Sequence, residues 1–176
     1  MTELSHTSFT PWPERSTADP RRATQAQYMH GMKEILSYEG PMQALPLFQT
    51  YAKSAGLLKI TALVRKRFEH ALMKGVKAGE VLLEREADSE LKSEDDSVGW
   101  ILRLPEQPEV KVRDLGRRSF AEIPMSELAA LVLEIRTQDE FIGRDGIYRA
   151  TLDHYGLQKL TALVRRRLDK VLEVYF

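Results

Sequence analysis

The chain has 176 residues, 43% of them hydrophobic and 30% charged, which is typical of one globular domain or two small ones. Lysine plus arginine and aspartate plus glutamate number 26 each, so the net charge is zero and any basic surface must be local. The absence of cysteine excludes disulfides, thiolate zinc sites and thiol catalysis.

The first 23 residues contain three prolines and show no hydrophobic periodicity. They predict a mostly disordered arm over residues 1–23, with docking of Phe9 and Trp12 as the alternative. The arm lacks the apolar core of a signal peptide, and no apolar run in the chain reaches membrane-spanning length. We therefore expect a cytoplasmic protein that contacts no membrane.

Three helices are predicted next. Thr24 and Gln27 match the capping-box pattern, and apolar residues recur at helical spacing until Gly40 and Pro41 end the helix. A second short helix ends at Gly56, and a third follows to residue 75 or 79.

Two strands, "EVLLERE" and "VGWILRL", are predicted after the third helix, joined by an acidic loop at residues 86–97. Residues 80–96 hold eight acids and two bases. Three helices followed by a hairpin is the order of a winged helix-turn-helix unit. An acidic wing would repel DNA at short range. Three interpretations follow: the wing faces away from nucleic acid, it binds a basic partner protein, or it is a disordered loop that increases solubility.

The sequence repeats itself at a shift of one hundred residues. "GLLKITALVRKR" at 56–67 matches "GLQKLTALVRRR" at 156–167, and ten of the seventeen residues at 56–72 are identical in the second copy. Both Gly56 and Gly156 are expected to take the left-handed conformation after a helix. The repeat predicts two copies of one small fold.

The predicted fold is mainly α with a small β hairpin, in two tandem winged helix-turn-helix-like units. The first unit spans residues 24–104, a linker spans 105–122, and the second unit spans 123–176. Only "EVYF" follows the last helix, so we expect the second unit to lack a full wing and to end in at most a stub of strand.

The third helix of each unit is predicted to bury one stripe and expose a basic one. A helical wheel places Ile60, Leu63, Val64 and Phe68 on the buried side. Loss of Leu63 or its counterpart Leu163 should then cost about 2–5 kcal/mol.

The opposite faces are candidates for contact with DNA phosphates, with solvated basic side chains as the alternative. The predicted nucleic-acid-binding residues are Lys59, Arg65, Lys66, Arg117, Arg118, Lys159, Arg165 and Arg166. The chain has no asparagine, one of the usual readers of adenine, and Glu69 and Asp169 would face phosphate unfavourably. Binding with little sequence preference is therefore expected.

Arg67 and Arg167 fall inside the apolar arc of their helices. A buried guanidinium needs a partner. We predict structural ion pairs with an acid of the first helix of each unit, in preference to a role in DNA binding. The candidate acids are Glu34 or Glu39 in the first unit and Glu134 or Asp139 in the second.

No enzyme motif is present. The four histidines lack metal-ligand spacing, no glycine-rich phosphate loop follows a strand, and Asp95 and Asp96 lie in the predicted loop. Trp100 and Tyr148 are interpreted as core aromatics in preference to base-stacking platforms. We predict no catalytic residue, no cofactor and no metal.

The motifs EGP at 39–41, GWIL at 99–102, RRS at 117–119 and EIP at 122–124, with the "GLxK…VRxR" segment at 56–67, occur here in order. In these motifs residues 28–172 resemble a bacterial domain-of-unknown-function family found at the C-terminal end of large helicase-like proteins, often fused to restriction-type nucleases. The resemblance implies association with DNA-processing machinery and carries over no catalytic residue. The acidic loop here is longer than the family's pattern.

We therefore predict a non-enzymatic DNA-binding or DNA-processing accessory module with double-stranded DNA as its partner. The alternative is a protein-interaction module in a helicase or nuclease complex.

Overall fold

The computed structural model describes residues 6–87 and 97–176. Within these ranges the fold is mainly helical with one small antiparallel sheet. The helices are α1 (Gln25–Glu39), α2 (Ala44–Ser54), α3 (Ala62–Lys77), α4 (Met125–Gln138), α5 (Arg144–Tyr155) and α6 (Ala162–Tyr175). The strands are β1 (Met42–Gln43), β2 (Leu82–Arg85) and β3 (Trp100–Arg103).

The internal repeat is visible in the helix boundaries. The helices α4, α5 and α6 begin one hundred residues after α1, α2 and α3 respectively. The third helices also begin alike, because the side chains of Thr61 and Thr161 accept hydrogen bonds from the backbone N–H groups of Val64 and Val164. The α1 capping box of Thr24 and Gln27 is confirmed.

The glycine that follows the second helix of each copy has the predicted conformation. Gly56 has φ +81° and Gly156 has φ +67°, in the left-handed region where a side chain would be strained. Glycine is therefore repeated at this position because both copies need a left-handed backbone there.

The sheet has the strand order β1-β3-β2, with both pairings antiparallel. The β2–β3 hairpin pairs Leu83 with Leu102 and is confirmed, whereas β1 was not predicted. The strand β1 has only two residues, too few for an alternating pattern to reveal it. Most of the predicted acidic loop, residues 88–96, lies outside the described ranges.

The described residues form two compact units. The first unit comprises residues 10–85 and 97–109, and the second comprises residues 6–9, 86–87 and 110–176. In the first unit, α1, α2, α3 and the sheet enclose a core that includes Met32, Leu36, Phe48, Phe68 and Leu72.

The second unit has a core of its own and begins earlier than predicted. Val112 and Phe120, placed by the sequence in a linker at 105–122, pack in this core with Leu128, Val132 and Leu168. Within the described residues no strand follows α6, which continues to Tyr175, in agreement with the expectation of at most a strand stub.

The described part of the N-terminal arm is packed, which corrects the prediction of disorder for residues 6–23. Trp12 is 1% exposed in the first core, and its backbone N–H lies 3.4 Å from a carboxylate oxygen of Glu39. The carbonyl oxygens of Pro20 and Ala18 accept hydrogen bonds from the hydroxyls of Tyr28 and Tyr51. Such contacts join residues far apart in sequence and leave no periodic signal.

The predicted core role of Leu63 and Leu163 is wrong, because these side chains are 61% and 38% exposed. The buried residues of α3 are Val64, Phe68, Ala71, Leu72 and Gly75. Ile60 precedes the N-cap residue Thr61 and is not helical, so it does not belong to the wheel, and the buried residues of α3 define a face that leaves Leu63 on the solvent side. The described residues contain no helix long and apolar enough to cross a membrane.

The observed orientation of α3 predicts that replacing leucine by alanine affects the free energy of unfolding differently at positions 63 and 72. Leu72→Ala should lower the free energy of unfolding by about 2–5 kcal/mol, because Leu72 is fully buried. Leu63→Ala should change it by less than about 0.5 kcal/mol. Urea unfolding followed by tryptophan fluorescence measures both, since Trp12 and Trp100 lie in the first core. Equal losses for the two variants would contradict the observed helix phase.

Candidate nucleic-acid interface

The exposed side of α3 carries an uninterrupted basic stripe. Lys66, His70, Lys74 and Lys77 are all exposed. At about 100° per residue they fall within an arc of roughly 80°, and they span about 16 Å along the helix. Lys59 is exposed in the turn just before the helix. None of these five side chains forms an ion pair with a described residue.

The one acid of α3 is turned away from this stripe. Glu69 accepts hydrogen bonds from the Nε atom of Arg65 at 2.9 Å and from the hydroxyl of Ser97 at 2.6 Å. Arg65 also donates to the Ser97 hydroxyl at 3.0 Å, and Ser97 is fully buried. The triangle fixes the start of the second hairpin strand against α3. It also neutralises the charge that the sequence placed opposite phosphate.

Six of the eight predicted DNA-contacting residues are exposed: Lys59, Lys66, Arg117, Lys159, Arg165 and Arg166. The other two are engaged within the fold. Arg65 is held by Glu69 and Ser97, and the side chain of Arg118 is only 8% exposed. A guanidinium as buried as that of Arg118 is not available to a phosphate.

The corresponding face of α6 is less basic than that of α3. Arg166 aligns with Lys66, but Lys170 makes an ion pair with Glu173 at 3.6 Å, and Val174 stands where α3 has Lys74. Nearby, Arg165 stacks over the ring of Tyr148 at 5.5 Å. The two copies share a scaffold, but the unbroken basic stripe belongs to the first.

Asp169, the counterpart of Glu69, is also held within the fold. It lies 3.0 Å from the guanidinium of Arg144 and accepts a hydrogen bond from the hydroxyl of Tyr148. Tyr148 is itself buried in the second core, and Trp100 is buried in the first, as predicted for core aromatics. Neither ring offers a face for base stacking.

Arg118 belongs to a buried charge cluster in the second unit. Both of its terminal nitrogens donate to the carboxylate of Glu127, at 2.9 and 3.0 Å. Arg113 donates to the same carboxylate from its side chain at 2.9 Å and from its backbone at 3.1 Å. The ring of Phe9 lies 4.9 Å from the guanidinium of Arg118 and 5.6 Å from that of Arg113.

The cluster shifts the ionisation of its members. Burial lowers the pKa of the Arg113 guanidinium, and the charge of Glu127 opposes this shift. Burial, with the nearby charge of Glu127, raises the pKa of the Tyr155 hydroxyl. Arg113 and Glu127 were missed by the sequence analysis. The available signal was the single acid Glu127 within the apolar start of α4, "MSELAALVL", since a buried acid requires a cation.

Arg67 and Arg167 both bind backbone carbonyls just before the first helix of their copy. Arg67 donates to the carbonyl oxygens of Pro20 and Arg21 at 3.0 and 2.9 Å, which replaces the predicted ion pair with Glu34 or Glu39. Glu34 is paired with Arg15 instead. Arg167 donates to the carbonyl oxygen of Ile123 at 2.5 Å.

The carbonyl groups bound by these two arginines lie in the segments that lead into α1 and α4. Each arginine therefore ties the third helix of its copy to the start of the first helix. The predicted acid partners in the second unit were Glu134 and Asp139. Of these, Glu134 contacts the imidazole of His6 at 2.6 Å.

No group of three or more acidic or histidine side chains in the described ranges is arranged to hold a metal ion. Asp95 and Asp96 lie outside those ranges. No family model, curated protein or solved structure matches this chain. The resemblance to the helicase-associated family therefore stays a prediction.

The buried cluster predicts a large cost for removing one charge. Glu127→Gln should lower the stability of the second unit by about 3–5 kcal/mol, because two buried guanidinium groups lose their counter-charge. Amide hydrogen exchange of α4 and α6 measures this change in the unit concerned. The matched control is Glu173→Gln in the same unit, because this carboxylate is 72% exposed and its contact with Lys170 is worth less than about 1 kcal/mol. Equal effects of the two variants would contradict a buried role for Glu127.

Proposed function

We propose that this chain is a non-enzymatic accessory module that binds the phosphate backbone of double-stranded DNA through α3. The observation that carries the proposal is the exposed stripe of Lys66, Lys74 and Lys77, extended by Lys59. Three unpaired lysines on one face of α3, with Lys59 in the turn before the helix, form a surface for a polyanion, although the chain as a whole has no net charge.

The arrangement of the first unit supports this use of α3. Helix, strand, two helices and a hairpin follow one another, and the sheet order β1-β3-β2 sets the short first strand beside the hairpin. This is the order of a winged helix-turn-helix unit. In helix-turn-helix proteins the corresponding helix enters the major groove. The winged-helix assignment is part of the proposal.

The chemistry of the stripe favours backbone contact over base reading. Lysine is a compact point charge, whereas the bidentate reading of guanine is most often made by arginine. Both arginines of α3 are held within the fold, Arg65 by Glu69 and Ser97 and Arg67 by backbone carbonyls. Binding should therefore depend strongly on salt and weakly on sequence. A helicase or nuclease partner, as the resemblance implies, would supply the catalysis.

A DNA titration tests the stripe. Four neutralised phosphates give a slope of log affinity against log salt of about −3.6. Lys66→Ala should weaken binding and reduce the magnitude of the slope by about 0.9, to about −2.7. Fluorescence anisotropy with a labelled 20-base-pair duplex at several salt concentrations measures both quantities.

The matched control is Arg149→Ala, which removes an exposed cation of α5 and should leave the slope near −3.6. A second duplex of unrelated sequence should bind with nearly the same affinity. Failure to bind either duplex at low salt, or an equal loss in the two variants, would exclude α3 as the interface.

A further inference from the structure

A groove in the first unit lies beside the basic stripe and shares Lys59 with it, whereas its apolar residues lie outside the stripe. The groove has a volume of about 660 Å³ and is lined by α2, by the turn before α3 and by Arg65. Its apolar lining includes Phe48, Ala52, Leu57 and Ile60. At its edge Leu58 is fully exposed. An exposed leucine beside an apolar groove of this size is typical of an interaction site.

The repeat shows which groove residues the fold itself requires. At the positions that correspond to Phe48, Leu57 and Ile60, the second copy also has aromatic or aliphatic residues, namely Tyr148, Leu157 and Leu160. The side chains at these positions pack against the hydrophobic core in both copies.

Three other groove positions change character between the copies. Leu45 aligns with Asp145, Lys53 with Asp153 and Leu58 with Gln158. Since the second copy folds without these apolar and basic side chains, they are not demanded by the scaffold. Leu58, which has no buried surface, contributes nothing to the core.

The rim of the groove is basic. Its lining contains Lys53, Lys59 and Arg65 and no acidic residue. Lys53 makes only a 3.5 Å contact with the exposed Glu14, and Lys59 is exposed. The α3 helix also begins at this end of the groove, and the positive end of its dipole adds to the lysine charges. An apolar floor with a cationic rim complements an apolar ridge flanked by carboxylates.

We infer that this groove binds an acidic amphipathic helix of a partner protein. Apolar side chains at positions i, i+3 and i+7 of that helix would pack on Leu57, Leu58 and Ile60, which are at least partly exposed, as in other helix-in-groove complexes. Its glutamates or aspartates would face Lys53 and Lys59. This site goes beyond the proposed DNA interface, because its apolar residues lie off the basic stripe of α3.

The test uses the full chain and three synthetic peptides of 15 residues. The first is a helix of alanine and glutamate with leucine at i, i+3 and i+7; the second replaces glutamate by lysine; the third scrambles the first. The acidic helix should bind at least about tenfold more tightly than either of the others. Its contacts should shift the NMR signals of Ala52, Leu58 and Ile60.

Two variants adopt the residue of the second copy. Leu58→Gln should weaken peptide binding about tenfold, because it removes a leucine from the apolar contact. Lys53→Asp should weaken it about fivefold at low ionic strength and less at high salt. Leu133→Gln, a change at an exposed leucine of α4, should leave peptide affinity unchanged.

The outcomes separate this site from the DNA interface. Leu58→Gln should retain the DNA affinity and the salt slope of the unchanged chain, whereas Lys66→Ala should retain peptide binding. The inference is overturned if the acidic helix fails to bind or binds no better than the scrambled peptide. It is also overturned if Leu58→Gln abolishes instead a self-association seen by size-exclusion chromatography, or binding to vesicles of anionic lipid.

Discussion

The rotation of α3 about its own axis is the constraint on which the exposed basic stripe depends. Val64, Phe68 and Leu72 are buried, and they fix which side of the helix faces the core. Arg67 reinforces the same orientation by donating to the carbonyls that lead into α1. Because these residues fix the rotation of α3, Lys66, Lys74 and Lys77 on the other side of the helix face solvent. The basic stripe is therefore a consequence of core packing, and a rotation of α3 by even one residue position, about 100°, would bury part of it.

The sequence predicts the features of this fold that are determined locally. The capping box of Thr24 and Gln27 marks the start of α1, because each side chain satisfies a backbone group within the same helical turn. Gly56 and Gly156 mark the ends of the second helices, because the left-handed backbone there strains any residue with a side chain. The repeat itself locates α4, α5 and α6 from α1, α2 and α3. These signals need no knowledge of which helix packs against which.

The errors concern features that tertiary contacts decide. Arg117 and Arg118 are neighbours of the same residue type, yet only the second meets the buried carboxylate of Glu127, nine positions along the chain. Trp12 is buried by packing in a core built by helices that follow it in sequence. Leu63 is exposed because packing of Val64, Phe68 and Leu72 against the core turns its side of α3 towards solvent. Hydrophobicity alone cannot distinguish these environments, because the same residue type occupies both.

The comparison of the two copies separates scaffold from surface. The third helix of each copy retains its threonine cap, its buried valine at 64 or 164, and its arginine tied to the entry of the first helix. Other positions differ between the copies: Val174 corresponds to Lys74, and Gln158 corresponds to Leu58. Fold stability does not constrain these positions. Surface positions of this kind diverge at little cost in free energy, whereas core positions do not. The stripe and the groove both lie in the first copy and both depend on residues that the second copy lacks. The repeated scaffold thus carries two different surfaces: Lys59 and Lys66 have basic counterparts in Lys159 and Arg166, whereas Lys53, Leu58 and Lys74 distinguish the first copy from the second.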